Sequence, residues 1–276
     1  MEDMKNYVVE NVETGLLEYI GDTFIIKMNR YSDPQRLNLA RNAAIYLGKK
    51  DRDNIKRPLR IIRDGHVPAI FRGESVEFEF VDVSKEVYDH LITYTTANMR
   101  ATGGNRALVS SDFTMPGDKM KQPEIVRENI EKSMEAYHNN LMNKETKQVA
   151  RSAMPIAAKM NPFVYQFNFV TLGESVFKQR IWEKGAQSNT AKVVQGMFEL
   201  CKAIDEDLWN EFYEHNGEPT LQWEEVRKKL KKEGLTVHQL LNELHALATN
   251  PDSGQNSDES IVDYLVRRSG GLKSMW

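Results

Sequence analysis

The clearest pattern along the chain is the alternation VEFEFVDV over 76–83. Val76, Phe78 and Phe80 fall on one side, Glu77 and Glu79 on the other. Period two of this kind predicts a β-strand with one buried face. Nearer the N-terminus, Tyr7–Val9 and Thr23–Met28 are shorter strand-like runs beside turn signals at Thr14-Gly15 and Gly21-Asp22, which suggests an antiparallel pair. Helical spacing takes over elsewhere. Asp33-Pro34 is read as opening a helix with Leu37, Ala40, Ala44 and Leu47 on its apolar face. Ser84 is read as capping a helix that carries Val87, Leu91 and Tyr94 on one face and fades near Asn98. Pro123 starts a long helix with Val126, Ile130, Met134, Tyr137 and Leu141 repeating at three or four. A further helix carries Val149, Ala150 and Met154 and stops around Pro155.

Between these elements, residues 49–60 read as a charged exposed loop, and the glycine-bearing stretch 99–106 as a polar connection. An apolar, aromatic run from Phe163 to Phe177 leads into the basic patch Lys178-Gln179-Arg180. From about Asn216 the character changes. Residues 223–248 read as two charged amphipathic helices, and TNPDSGQNSDES, 249–260, as a flexible linker. The expected organisation is an α/β (α+β) domain over 1–215, with a central antiparallel or mixed sheet flanked by long helices, and a helical C-terminal extension over 216–276.

Composition narrows the function classes. Hydrophobic residues make up 40% of the chain and charged residues 28%, as in a globular domain able to bury a real core. The net charge of −3 provides no global basic field for a nucleic-acid polymer, although small anionic ligands need only a local cluster. No run approaches the roughly 18 apolar residues of a membrane span. No N-terminal signal-peptide pattern is visible either, so a cytoplasmic setting is expected, including the host cytoplasm for a viral chain. A single cysteine, Cys201, excludes an intrachain disulfide. It shares a helical face with Val194, Met197, Phe198 and Ile204, where a small core residue and a nucleophile are the alternatives. His238 and His245 stand seven apart on a charged helix, wider than usual metal spacing, and read as solvated surface.

The candidate chemistry lies in arginines. Arg106 ends the Gly104-Asn105 loop, Arg151 precedes Met154-Pro155, and Arg180 ends the aromatic run. A guanidinium fork suits phosphate, and a glycine loop lets backbone N–H groups approach the same anion. Each arginine taken alone reads more readily as a surface ion pair, and the spacing alone does not lift it above that.

The order of these segments resembles the flavin-dependent thymidylate synthase family over about residues 20–215. The family's phenylalanine-rich strand and Ser-Arg helix start resemble VEFEFVDV and Ser84-Lys85. Its Ser-x-Arg-Tyr ending resembles Gly104-Asn105-Arg106-Ala107. Its Tyr, Leu and Ala-Arg-x-x-Leu-Pro segment resembles Tyr137, Leu141 and Ala150-Arg151-Ser152-Ala153-Met154-Pro155. Phe163, Tyr165, Asn168, Phe177, Arg180 and Ala186-Gln187 follow its next pattern. Asn38-Leu39-Ala40-Arg41 and Asp64-Gly65-His66 resemble its upstream elements.

The resemblance implies a one-carbon transfer from methylenetetrahydrofolate to C5 of dUMP with FAD as hydride source, in a homotetramer with shared active sites. It assigns Arg106 and Arg151, with Gly104 and Asn105, to the substrate phosphate. It assigns Arg180 to polarising the uracil ring, with Gln179 as the alternative register, and Asn168 to the flavin. The family's Arg-His-Arg falls on Thr93-Tyr94-Thr95, or one residue later, and Arg100 or Arg72 is the nearby cation that can compensate. Gly103 or Gly104 stands for the signature serine, and Gly73 and Gly185 stand for two family histidines. Three functions follow: the flavin- and folate-dependent dUMP transferase; a diverged enzyme using another base such as dCMP, another cofactor or a 5-hydroxymethyl product; and a non-catalytic nucleotide-binding or assembly protein. Bound flavin colour and pyrimidine nucleotide binding separate them.

Overall fold

The computed structural model describes residues 7–66, 69–94, 99–102, 108, 111–183 and 187–232, together with 234, 236, 238 and 241. Strands β1 (Tyr7–Glu10) and β2 (Leu17–Ile20) form an antiparallel hairpin. Asn11 holds its turn, accepting from the amides of Glu13 and Thr14 at 2.9 and 3.1 Å. This is the local bonding that favours asparagine in turns. β3 (Ile25–Tyr31) begins later and runs further than the Thr23–Met28 pattern suggests. The Gly21 amide closes a turn onto the Phe24 carbonyl at 2.9 Å first.

Helix α1 (Leu37–Tyr46) likewise opens after Asp33-Pro34. The Asp33 carboxylate lies ahead of it and accepts from the amides of Leu37 and Leu39, each at 2.9 Å. The buried face is Leu39, Ala40, Ala43 and Ala44, while Leu37 and Leu47 are exposed. The helix is therefore turned relative to the face expected from sequence. α2 (Arg57–Arg63) begins inside the stretch read as a charged loop and takes in Arg60–Arg63, whose sequence reads as a short element ending at Gly65-His66.

β4 (Ser75–Val81) is the predicted alternating strand, and Val76, Phe78 and Phe80 are fully buried. α3 (Lys85–Leu91) has Ser84 at its N-terminus, but the Ser84 side chain makes no capping hydrogen bond. The first amides are satisfied by tertiary partners instead: Lys85 and Glu86 donate to the carbonyls of Ala158 and Ile156 at 2.8 and 2.9 Å. Val87, Leu91 and Tyr94 are all buried, as their shared face predicts. The stretch read as a polar connection contains a strand, β5 (Met99–Thr102), whose residues are all exposed. An edge strand facing water needs no apolar alternation, so its pattern carries no signal.

α4 (Pro123–Met142) buries Met134 and Tyr137. α5 (Lys147–Ala150) tightens into the turn Arg151–Ala153 before Pro155. β6 (Phe163–Asn168) completes the sheet, in the order β1-β2-β3-β4-β6-β5 with every described neighbour antiparallel. Phe78 faces Tyr165 across β4 and β6, and Phe80 faces Phe163 with rings stacked at 4.8 Å. Such cross-strand aromatic pairs fix the register of a sheet.

The chain leaves β6 directly into a helix that is π-wound over Thr171–Val176 and Lys178–Trp182. Asn168 sits at the junction, its side-chain oxygen accepting from the Thr171 amide at 2.8 Å. α6 (Ser188–Ile204) and α7 (Glu206–Phe212) complete the helical layer. α6 crosses β2 and β3 with Gly196 against Tyr19 and Ile26, where a β-carbon would come within 2.9 Å of Ile26. Trp209 of α7 is fully buried among Phe169, Phe177 and Phe212, at centroid distances of 5.3, 5.5 and 5.3 Å. Its indole N–H donates to the Tyr31 hydroxyl at 3.0 Å. After the π-wound turn Tyr213–Gly217 comes α8 (Glu218–Lys232). The linker expected over 249–260 lies outside the described residues. Among the described residues, no helix is long and apolar enough to cross a membrane.

Candidate active site

The site is built where the end of α3 meets the π-wound helix. Tyr94 stands one turn past Leu91, and its backbone carbonyl accepts from the Tyr165 hydroxyl of β6 at 2.7 Å. That bond ties the segment after α3 to the sheet. The Tyr94 side chain reaches the π-wound helix, where its hydroxyl accepts from Arg180 Nε at 2.9 Å and donates to Gln179 Oε1 at 3.1 Å. Arg180 Cζ also lies 5.6 Å from the Tyr94 ring centroid, a cation–π distance. Two neighbouring residues of one helix therefore share one phenol, and π-winding of that turn accompanies the arrangement. Such winding is common where a helix serves a site.

Electrostatics keep this cluster cationic. Burial pushes the Tyr94 phenol above its ordinary value, while the charge of Arg180 and the hydrogen bond to it pull the other way. The net shift is upward, so the hydroxyl stays protonated and does not neutralise Arg180. His90, one turn before Tyr94, is lowered by burial and then by the charge of Arg180. Its Nδ1 lies 2.6 Å from Thr190 Oγ1. Arg180 itself is half-buried and has no carboxylate ion partner among the described residues. It opens, with Lys178 and Gln179, onto a groove of about 700 Å³ whose other wall includes Trp223 and Arg227 of α8.

The other expected site residues among those described are held by contacts outside the Tyr94–Gln179–Arg180 cluster or make none with it. Arg100 of β5 sits with Cζ 5.7 Å from the Tyr165 ring centroid and donates to the Ile92 carbonyl at 3.3 Å. It thus braces the same Tyr165 that holds Tyr94. Thr93 is exposed and donates its hydroxyl to the His90 carbonyl at 2.7 Å. Arg151 lies at the end of α5, half-buried, and makes no hydrogen bond or ion pair with the Tyr94–Gln179–Arg180 cluster among the described residues. Thr95, Gly104, Asn105 and Arg106 lie outside the described residues. Cys201 is fully buried in α6, and burial pushes its thiol well above the ordinary value, so it fills the core as an inert thiol.

Sequence reasoning missed His90, Trp223 and Arg227. His90 carries no motif. Trp223 and Arg227 belong to a helix whose charged, amphipathic pattern reads as an ordinary solvated face until its position against Arg180 is known.

A family model described as thymidylate synthase complementing protein matches residues 16–205. Among solved structures, the chain is similar to a UMP/dUMP methylase, PolB from Streptomyces cacaoi, bound with 5-Br dUMP. The TM-score is 0.57 at 15% identity, over 70% of this chain and 96% of that one. At that identity the likeness is one of fold. No curated protein sequence matches. Since the family match spans more than half of the chain, the protein belongs to the thymidylate synthase complementing protein family.

Proposed function

We propose that this protein transfers a one-carbon unit to C5 of a pyrimidine deoxynucleotide monophosphate, dUMP, with methylenetetrahydrofolate as donor. The observation that carries the reading is Arg180, a cation without a carboxylate partner among the described residues, fixed on the Tyr94 hydroxyl at the edge of an open groove. C5 of a uracil becomes nucleophilic when negative charge on the ring oxygens and N3 is stabilised. A preorganised guanidinium beside the ring supplies that stabilisation without reorganising as the charge develops. Tyr94 positions it while remaining a neutral phenol, and Gln179 is assigned beside it at the base. Arg151 and Arg106, with the backbone of Gly104 and Asn105, are assigned to the phosphate. Membership of the family and the dUMP analogue named in the similar structure both support this substrate class.

The family's flavin does not fit the described residues at its expected place. Diphosphate calls for cations or free N–H donors. Thr93 is bonded to its own helix end, Tyr94 is engaged by Arg180, and Arg100 is drawn onto Tyr165 and Ile92. Asn168 uses its side-chain oxygen at the Thr171 amide. No step is therefore assigned to FAD. This mismatch favours a second reading, in which the same scaffold acts on another pyrimidine deoxynucleotide such as dCMP or leaves a 5-hydroxymethyl product. A homotetramer with shared sites belongs to the proposal and is tested by light scattering.

The deciding experiment combines the visible spectrum of the purified protein with calorimetry against dUMP and dCMP. Yellow flavin bands with dUMP binding support the FAD-linked form. A colourless protein that binds either nucleotide supports the second reading. Failure to bind any pyrimidine nucleotide removes both.

A further inference from the structure

We propose that α8 forms one wall of a ligand site, and that the groove between α8 and the Arg180 turn takes a planar ring carrying an anionic arm. The family match ends at residue 205, so α8 lies outside the matched residues. Its placement against the Arg180 turn is nevertheless built in. Asn216 is buried and donates to Glu174 Oε1 at 2.9 Å, tying the start of α8 to the π-wound helix. Gly217 lets the chain pass close to the aromatic layer: a β-carbon there would collide with the Tyr213 ring and come within 2.9 Å of Trp182.

The two walls carry complementary chemistry. Lys178 and Arg180 present positive charge, and neither has a carboxylate ion partner among the described residues. Arg227 adds a third cation, held among the described residues by an exposed pair with Glu224 at 2.9 Å. A pair of that kind is weak and readily exchanged for a ligand anion. Glu183 also lines the groove, so three cations face two carboxylates. Trp223 is 42% exposed, whereas Trp182 and Trp209 are buried in the core. An indole left open beside cations suits a flat ring with an anionic arm, by stacking and charge pairing together. The groove of about 700 Å³ has the size of a small-molecule site. Both a nucleotide, with its phosphate, and a pterin bearing carboxylates have this chemistry. The inference rests on reading Arg180 as facing the ligand.

The test is calorimetry and tryptophan fluorescence of the full chain with dUMP and, separately, with tetrahydrofolate. Trp223→Leu and Arg227→Gln are compared with wild type and with Glu225→Gln, an exposed change off the groove. The expected result is about tenfold or greater loss of affinity for one of the two ligands in both groove variants, with Glu225→Gln unchanged. The ligand affected identifies the source, nucleotide or pterin. Should Trp223→Leu fail to fold, Arg227→Gln carries the same test. Wild-type affinity for both ligands in both groove variants, or no binding of either ligand by wild type, overturns the proposal. Trp223-dependent binding without any C5 chemistry leaves the groove standing and removes the function. C5 chemistry with unchanged affinities in the variants does the reverse.

Discussion

Tyr94→Phe isolates the one contact that organises the proposed site. The phenol accepts from Arg180 Nε at 2.9 Å and donates to Gln179 Oε1 at 3.1 Å, so the substitution deletes both bonds and keeps the ring. The ring remains buried, and the cation–π approach of Arg180 at 5.6 Å survives. A hydrogen bond to a charged group contributes about 1.5–3 kcal/mol and a neutral one about 0.5–1.5 kcal/mol. Arg180 is half-buried and Gln179 exposed, so water replaces part of what is lost. The expected destabilisation is therefore about 1–2 kcal/mol, below the sum of about 2–4.5 kcal/mol that two fully buried bonds would give. The catalytic cost exceeds the stability cost, because a guanidinium free to swing no longer meets the developing charge in one geometry. Turnover is expected to fall about tenfold to a hundredfold with KM changed less than threefold, the signature of an interaction made mainly in the transition state. Urea unfolding and steady-state kinetics with dUMP read the two effects. Wild-type stability together with wild-type turnover in Tyr94→Phe refutes the positioning argument.

Other outcomes follow from the same structure. Trp209→Ala empties a fully buried site among three phenylalanines and removes a hydrogen bond to Tyr31, so the unfolding free energy should drop by about 3–5 kcal/mol in a denaturant titration. Asp33→Ala strips the carboxylate from the amides of Leu37 and Leu39 and should cost about 1–2 kcal/mol, measured the same way. Burial raises the Tyr31 phenol well above its usual 10.0 and raises Tyr94 as well. The unfolded chain therefore releases these protons first. The stabilisation is complete below about pH 10 and is lost as pH climbs through the higher folded values. Urea midpoints should fall between pH 9 and pH 11, and fall less in Tyr31→Phe.

Periodicity made much of the scaffold legible. β4, α3, α4 and α6 each bury a face that repeats at two or at three to four, and those faces are the core. β5 was invisible because an edge strand facing water has no apolar side to show. α1 was misplaced because the Asp33 carboxylate reaches past a turn to cap it, which shifts the start and rotates the face. In the site, Arg180 and Gln179 were alternative registers for one role, and both touch the same hydroxyl. Tyr94 read only as a lost charge where the family has Arg-His-Arg. Its engagement of a residue 86 positions away is a tertiary fact that no local pattern encodes. The same holds for Trp223 and Arg227, which acquire meaning only from the wall they face.

The central claim, that Arg180 polarises a pyrimidine ring for attack from C5, is tested most directly by tritium release from dUMP labelled at C5, measured alongside dUMP affinity in wild type and Arg180→Ala. With methylenetetrahydrofolate and a reduced hydride source supplied, wild type should release tritium. Arg180→Ala should lose release by at least about a hundredfold while nucleotide affinity falls less than about tenfold. Equal loss of release and affinity, or undiminished release in Arg180→Ala, contradicts the account.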